Sequence, residues 1–215
     1  MEVEASINAR HSVRAYSDKP VSKALLTDLA AQAQKSPSWV NSQPWKIYIA
    51  MGKTMRHLAE QQAAYETQGV DSHPDIPVQH RELWDKPQQA NMRENSTRRA
   101  VYGEEHGVSY PESQRHLYNA PAVAYLTIPK SSPQWSLYDL GSFAEALILS
   151  ATDKGLGTIP SYSLVKYPEL ARQALGIPDS EQLVIGIAIG YEAESPMNAY
   201  RSNRMPLDQI LTIKD

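Results

Sequence analysis

The chain of 215 residues has no cysteine. Disulfides, thiolate metal sites, thiol nucleophiles and Cys-ligated clusters are excluded together. Long hydrophobic runs are also missing: the longest, Leu183 to Ile189, is far short of the ~20 residues that span a bilayer. Met1-Glu2-Val3-Glu4-Ala5 has no basic n-region and no apolar h-region, so no signal peptide is expected. Asn95-Ser96-Thr97 fits a glycosylation acceptor but, without an export signal, reads as chance. No sign of charge dominates: 21 Lys and Arg stand against 24 Asp and Glu, a net charge of −3 at pH 7. Such a balance does not wrap nucleic acid by bulk field, and any bound anion must be held by a few placed cations. A cytoplasmic protein with no membrane and no nucleic-acid partner is expected.

Several catalytic signatures are absent too. There is no G-x-x-x-x-G-K-[ST], no H-E-x-x-H and no G-x-S-x-G. Gly155-Leu156-Gly157 lacks the third glycine of a dinucleotide loop, and a helix ends where one should begin. His11, His57, His73, His80, His106 and His116 show no metal-ligand spacing with carboxylates, so no metal site is expected.

What remains is an ordinary globular composition, 41% hydrophobic and 21% charged, in a chain long enough to bury its own core. Apolar spacing predicts a short helix over residues 2–10 and a second after Ser22, a plausible N-cap, stopping before Pro37. Trp45 to Met51 alternates like a half-buried strand that Gly52 ends, and a helical face follows to about Gln68. Residues 69–119 differ: prolines, Gln, Arg and Glu abound, aliphatics are few, and charges balance. That composition predicts a solvated insertion with one or two helices, a lid or binding element, in which Trp84, Tyr102, Tyr110 and Tyr118 either pack or face a ligand. Ala122 to Ile128 reads as a strand, and Leu137 to Ala151 as the best helix, closed by Gly155. Gly157 to Ser163 reads as a turn-rich segment, Pro168 as the start of a short helix ending near Gly176, and Leu183 to Ile189 as a central strand. After a polar stretch the chain finishes with Leu207, Ile210, Leu211 and Ile213. This arm is expected on a partner chain, docked at a sheet edge, rather than on its own domain.

Two segments carry chemistry. Arg10-x-Ser12-x-Arg14 places two guanidiniums and a hydroxyl at a helix end. In an extended stretch all three point to one side, where they can grip one phosphate or one carbonyl edge. The plainer reading is favourable placement of cations near a helix C-terminus. Ser36-Pro37-Ser38-Trp39-Val40-Asn41-Ser42-Gln43-Pro44-Trp45 sets amide and hydroxyl donors between two prolines. Turn chemistry accounts for Pro37 and Pro44 but does not require Asn41 or Gln43.

These two segments, in this order, resemble the opening of the nitroreductase family of FMN-dependent oxidoreductases. Asp139-Leu140-Gly141, Gly155-Leu156-Gly157-Thr158-x-Pro160, Leu175-Gly176-Ile177-Pro178, Gly190-Tyr191 and Asn198-x-x-Arg201-x-x-Arg204-x-Pro206-Leu207 follow in family order. The resemblance covers essentially the whole chain and is weakest over 69–119.

The resemblance implies an α+β fold: one domain over 1–215 with a mixed, mostly antiparallel sheet flanked by helices, residues 69–119 as a helical insertion or lid, and a C-terminal arm exchanged in a homodimer. It implies FMN as cofactor and NADH or NADPH as reductant. Arg10, His11, Ser12 and Arg14 match residues that hold the phosphate, ribityl chain and pyrimidine edge. Arg204, and with it Arg201, match a late basic group on the phosphate. Pro37, Ser38, Trp39, Asn41 and Gln43 match the loop given by the other subunit. Pro160, Ser161, Tyr162 and Ser163 match the turn whose backbone N–H faces flavin N5, with Tyr162 and Ser163 nearest the reacting atom. Trp39 stands where a small polar residue is common, and Tyr162 where some members have an acid. The implied activity is ping-pong hydride transfer to flat nitroaromatic or quinone acceptors. The alternatives on the same scaffold are enoate reduction, reductive dehalogenation, flavin breakdown, or a non-enzymatic flavin-binding redox sensor.

Overall fold

The structure is a computed structural model and describes residues 2–215. Four strands, β1 (Lys46–Met51), β2 (Ala122–Pro129), β3 (Gly157–Ser161) and β4 (Glu181–Gly190), form one sheet in the order β1-β2-β4-β3. All three strand pairings are antiparallel. Alternation along the central β2 divides the core between two faces. Ala122, Ala124, Leu126 and Ile128 join one cluster with Leu29, Phe143 and Leu147 of α2 (Lys23–Ala33) and α6 (Trp135–Asp153). Val123 and Tyr125 join the other with Met55, Leu58 and Leu170 of α3 (Gly52–Thr67) and α7 (Pro168–Leu175). Helices cover both faces, which is why β2 and most of β4 read as continuous apolar runs. Ser22 caps α2 as expected, its hydroxyl accepting from the Leu25 N–H at 3.1 Å.

Residues Gly157–Ser161, expected as turn, are a strand. Pro160 lies within it, although proline donates no ladder hydrogen bond. It is tolerated because β3 lies at the end of the sheet order. The outer side of β3 is met at one point by the N-terminal segment: Ser12 bridges Thr158 in parallel, and the Val13 N–H donates to the Thr158 carbonyl at 3.0 Å. That segment follows α1 (Val3–Ala9).

Residues 69–119 contain α4 (Lys86–Glu105) and α5 (Tyr110–Arg115). Only Gly103 is buried in α4, as its lack of an apolar stripe requires. After α8 (Pro196–Ala199) the arm departs from expectation in its first part. Tyr200 donates to Asn95 Oδ1 at 3.0 Å and Asn203 to Glu94 Oε1 at 2.7 Å, so this stretch lies on the chain's own α4 and not on a sheet edge. Polar pairing with the exposed face of α4 supplies the partner that the apolar pattern left out. Leu207, Ile210, Leu211 and Ile213 beyond it are exposed. Among the described residues no helix is long and apolar enough to cross a membrane.

Candidate functional site

Both ends of the chain converge on one cavity of about 640 Å³. Arg10, His11, Ser12 and Arg14 line it from the N-terminal side, Arg201 and Arg204 from the arm, and Asn95 and Arg99 from α4. Six residues singled out from sequence therefore share one hollow. Two features fix the N-terminal segment there. A Cβ on Gly157 would sit 2.5 Å from Val13 Cγ2, so only glycine lets the segment close on β3. The buried amide of Asn198 accepts from the Arg14 and Ala15 N–H groups at 2.7 and 3.1 Å, and donates to the Ala15 and Ala193 carbonyls at 2.7 and 3.0 Å.

Arg14 is part-buried and donates to the Ser12 carbonyl at 3.0 Å. Burial lowers its pKa, and the positive charge of Arg99 lowers it further. Both guanidiniums lie near the Tyr110 ring, at 5.5 and 5.2 Å from its centroid. Each such contact contributes about 0.5–2 kcal/mol. His11 sits between two acceptors, the Ala9 carbonyl at 3.0 Å and Glu192 Oε1 at 3.1 Å.

The turn after β3 is the second element. Gly186 of β4 allows it in: a Cβ there would meet Leu164 Cβ at 2.5 Å. Tyr118, Ser161 and Ser163 form a triangle of hydroxyls, with Tyr118 to Ser161 at 2.6 Å, Tyr118 to Ser163 at 3.1 Å and Ser161 to Ser163 at 2.8 Å. Tyr118 reaches them from a backbone at φ 63°, between Leu117 at 50° and Asn119 at 51°. Leu117 and Tyr118 in the left-handed region cost of order 1–3 kcal/mol each and are held there by their burial, whereas the exposed Asn119 is of a type that tolerates this region. The side chain of Tyr162 points elsewhere, donating to Ser72 Oγ at 2.9 Å beside a hollow of about 580 Å³ that also includes His73, Pro77 and His80. His73 is tied to the Asp71 carbonyl at 2.9 Å and to Glu169 Oε2 at 2.8 Å. Those two bonds, the Asp71 one first, raise its pKa.

The loop bearing Pro37, Ser38, Trp39, Asn41 and Gln43 does not line the arginine cavity of its own chain. It is held at the start of α6, where the Trp39 N–H donates to both oxygens of the buried Asp139 at 3.2 and 3.1 Å. Val40, Asn41 and Gln43 all have positive φ, so the loop is tightly shaped. Trp39, Val40, Trp135 and Tyr138 are exposed there together. Of the four aromatics in the insertion, Tyr110 and Tyr118 are buried, Tyr102 stacks on His106 at 3.9 Å, and Trp84 donates to the Gln79 carbonyl at 3.4 Å.

Sequence pattern did not point to Arg99 or to a role for Asn198, and it named Tyr118 only as one of the insertion's aromatics. Arg99 lay in a charge-balanced stretch that looked like a solvated face. Asn198 was one residue of a motif with no role attached. Nothing in the local sequence signalled the left-handed backbone at Tyr118.

The model of the nitroreductase family matches residues 7–191. The chain belongs to the nitroreductase family. It is 28% identical to a 4-nitrobenzoate reductase of Nocardioides sp. (strain LMS-CY), over 97% of this chain and 88% of that protein. It is 27% identical to the nitroreductase NfnB of Mycolicibacterium smegmatis, over 96% of this chain and 90% of that one. The crystal structure of the FMN and NADPH-dependent nitroreductase NfnB from Sphigopyxis sp. strain HMH superposes with a TM-score of 0.88 at 25% identity, covering 100% of both chains. The antiparallel sheet between two helical layers is thus this family's α+β architecture.

Proposed function

We propose that this nitroreductase-family chain is an FMN-dependent oxidoreductase that takes hydride from NADH or NADPH and passes two electrons to a flat nitroaromatic or quinone acceptor. The observation that carries this reading is the convergence of Arg10, Arg14, Arg201 and Arg204 on one cavity from opposite ends of the sequence. The donor set suits the cofactor: guanidinium forks and the Ser12 hydroxyl for a phosphate and a polyol chain. Flavin, when bound, supplies the hydride chemistry. The protein's part is to hold it, to present backbone donors from the turn over Pro160–Ser163, and to leave one face open.

In this reading residues 1–215 act as one domain, and 69–119 close over the site through α4. A second copy of the chain covers the exposed Trp39, Val40, Trp135 and Tyr138 and brings its 37–43 loop to the flavin. The exposed apolar end of the arm, Leu207 to Ile213, supports the same partner. The relatives named above, one of them a 4-nitrobenzoate reductase, favour nitroaromatic acceptors.

The test is direct. Purified protein should be yellow, release FMN on denaturation, and oxidise NAD(P)H with a nitroaromatic acceptor under anaerobic conditions in a ping-pong pattern. Arg14→Ala should lower FMN affinity, since one charge-assisted hydrogen bond contributes about 1.5–3 kcal/mol. Colourless, monomeric protein that stays so when given FMN overturns the reading.

A further inference from the structure

The cavity holds more positive charge than one phosphate takes up. Five arginines line it, Arg99 being the fifth, against one carboxylate, Glu145. Among the described residues none of the five has a carboxylate within ion-pair distance. Four positive charges are left uncompensated. A phosphate monoester carries about −1.5 to −2 at neutral pH, so roughly two remain.

Arg10 and Arg99 stand out, since neither guanidinium has a hydrogen-bond acceptor or an ion-pair partner among the described residues; Arg10 belongs to the phosphate grip proposed above, which leaves Arg99. Arg14, Arg201 and Arg204 each donate to nearby backbone carbonyls. Arg99 has no hydrogen-bond acceptor among the described residues, only the Tyr110 ring. Its neighbour Arg98 pairs with Glu94 on α4 at 3.8 Å, as a surface arginine does. Arg99, one position on, faces the cavity instead and shares the Tyr110 ring with Arg14. The two positive charges at this one ring oppose each other, and an anion placed between them would relieve that repulsion. The flat, neutral part of an acceptor needs no such group.

We infer that Arg99 receives a second anion, carried by a visiting substrate and bound in the same cavity as the cofactor phosphate. The inference rests on the proposed FMN site. Two sources present the required oxyanion, the phosphates of the nicotinamide coenzyme and the carboxylate of an aromatic acid acceptor, and a planar guanidinium fork suits either.

The experiment is an equilibrium titration of the oxidised holoenzyme, which does not turn over, with NADP+, NAD+, 4-nitrobenzoate and nitrobenzene. Wild type is compared with Arg99→Gln and Arg99→Lys. In Arg99→Gln the Kd of at least one anionic ligand should rise about tenfold or more, with flavin content per chain unchanged, nitrobenzene binding unaffected and partial rescue by lysine. A rise for NADP+ beyond NAD+ identifies the 2′-phosphate, an equal rise for both identifies the pyrophosphate, and a rise confined to 4-nitrobenzoate identifies the acceptor carboxylate. The wild-type advantage should shrink as salt is added. Unchanged Kd values for all four ligands overturn the inference. So does loss of flavin from Arg99→Gln, which would make Arg99 a cofactor residue. Wild-type protein that binds no flavin defeats the proposed function instead, a separate and visible result.

Discussion

The side chain of Asn198 makes its shortest hydrogen bonds, 2.7 Å each, to the backbone N–H of Arg14 and the carbonyl of Ala15. One buried amide thus stitches the C-terminal segment to the N-terminal arginine segment, and the cavity lies between the two. Asn198→Ala leaves two N–H and two C=O groups without that partner. A loss of about 1–3 kcal/mol in urea unfolding is expected, together with weaker flavin retention. Asn198→Asp should be worse than its size suggests, because an oxygen replaces the donor that faces Ala15 and Ala193.

Gly157→Ala tests the seating of the same segment from the other side. The added methyl would sit 2.5 Å from Val13 Cγ2, and Val13 is buried. Relief requires moving residues 12–13 off β3. The expected cost is about 1–3 kcal/mol, and the flavin Kd should rise with it. Wild-type thermal stability in this variant would show that the segment has room to yield.

Tyr118→Phe removes the ring hydroxyl and leaves Ser161 and Ser163 to each other. The phenol is buried and bonds both serines. About 0.5–1.5 kcal/mol of stability should be lost. If the 160–163 turn faces the flavin, the visible absorption bands of the bound cofactor should shift as well, and Tyr118→Phe is the variant in which to look.

Thr127→Val probes the buried carboxylate of Glu181, which accepts from Lys46 and Thr127, each at 2.5 Å, and from Tyr48 at 3.0 Å. Burial pushes this carboxyl up, but the hydrogen bonds outweigh it and its pKa ends lower than usual. A depressed folded-state pKa means stability that is present above about pH 4.3 and lost as pH falls through the folded value. Thr127→Val should therefore cost about 1–3 kcal/mol near neutrality and much less in acid, measured by denaturation across that range.

His73 behaves in the opposite sense. Its pKa is raised by the Asp71 carbonyl and then by Glu169. The stabilisation is fully present below about pH 6.5 and disappears as pH rises through the higher folded value. Glu169→Gln should bring the His73 titration, followed by NMR, back toward 6.5. An unmoved titration would show that Asp71 alone sets it.

Most helices and the central strands were legible in the sequence pattern, and the α+β architecture in the family resemblance. The continuous apolar run of β4 announced a covered central strand, and Arg10, Ser12 and Arg14, singled out by their spacing, line one cavity. Sequence pattern failed at β3, a strand that accommodates Pro160 at the end of the sheet order. It did not show that the first part of the arm is held on α4 by Tyr200 and Asn203, polar residues with no periodic signal.

Local pattern determined the helices, the central strands, the scarcity of net charge and the placement of arginines at both ends, because periodicity and composition act over a few residues at a time. Only the tertiary structure decided that those ends meet, that Arg99 joins them from a stretch that looked merely solvated, and that Tyr118 turns left-handed to reach Ser161. Each depends on a contact between residues far apart in the chain, whose burial outweighs what the local sequence prefers.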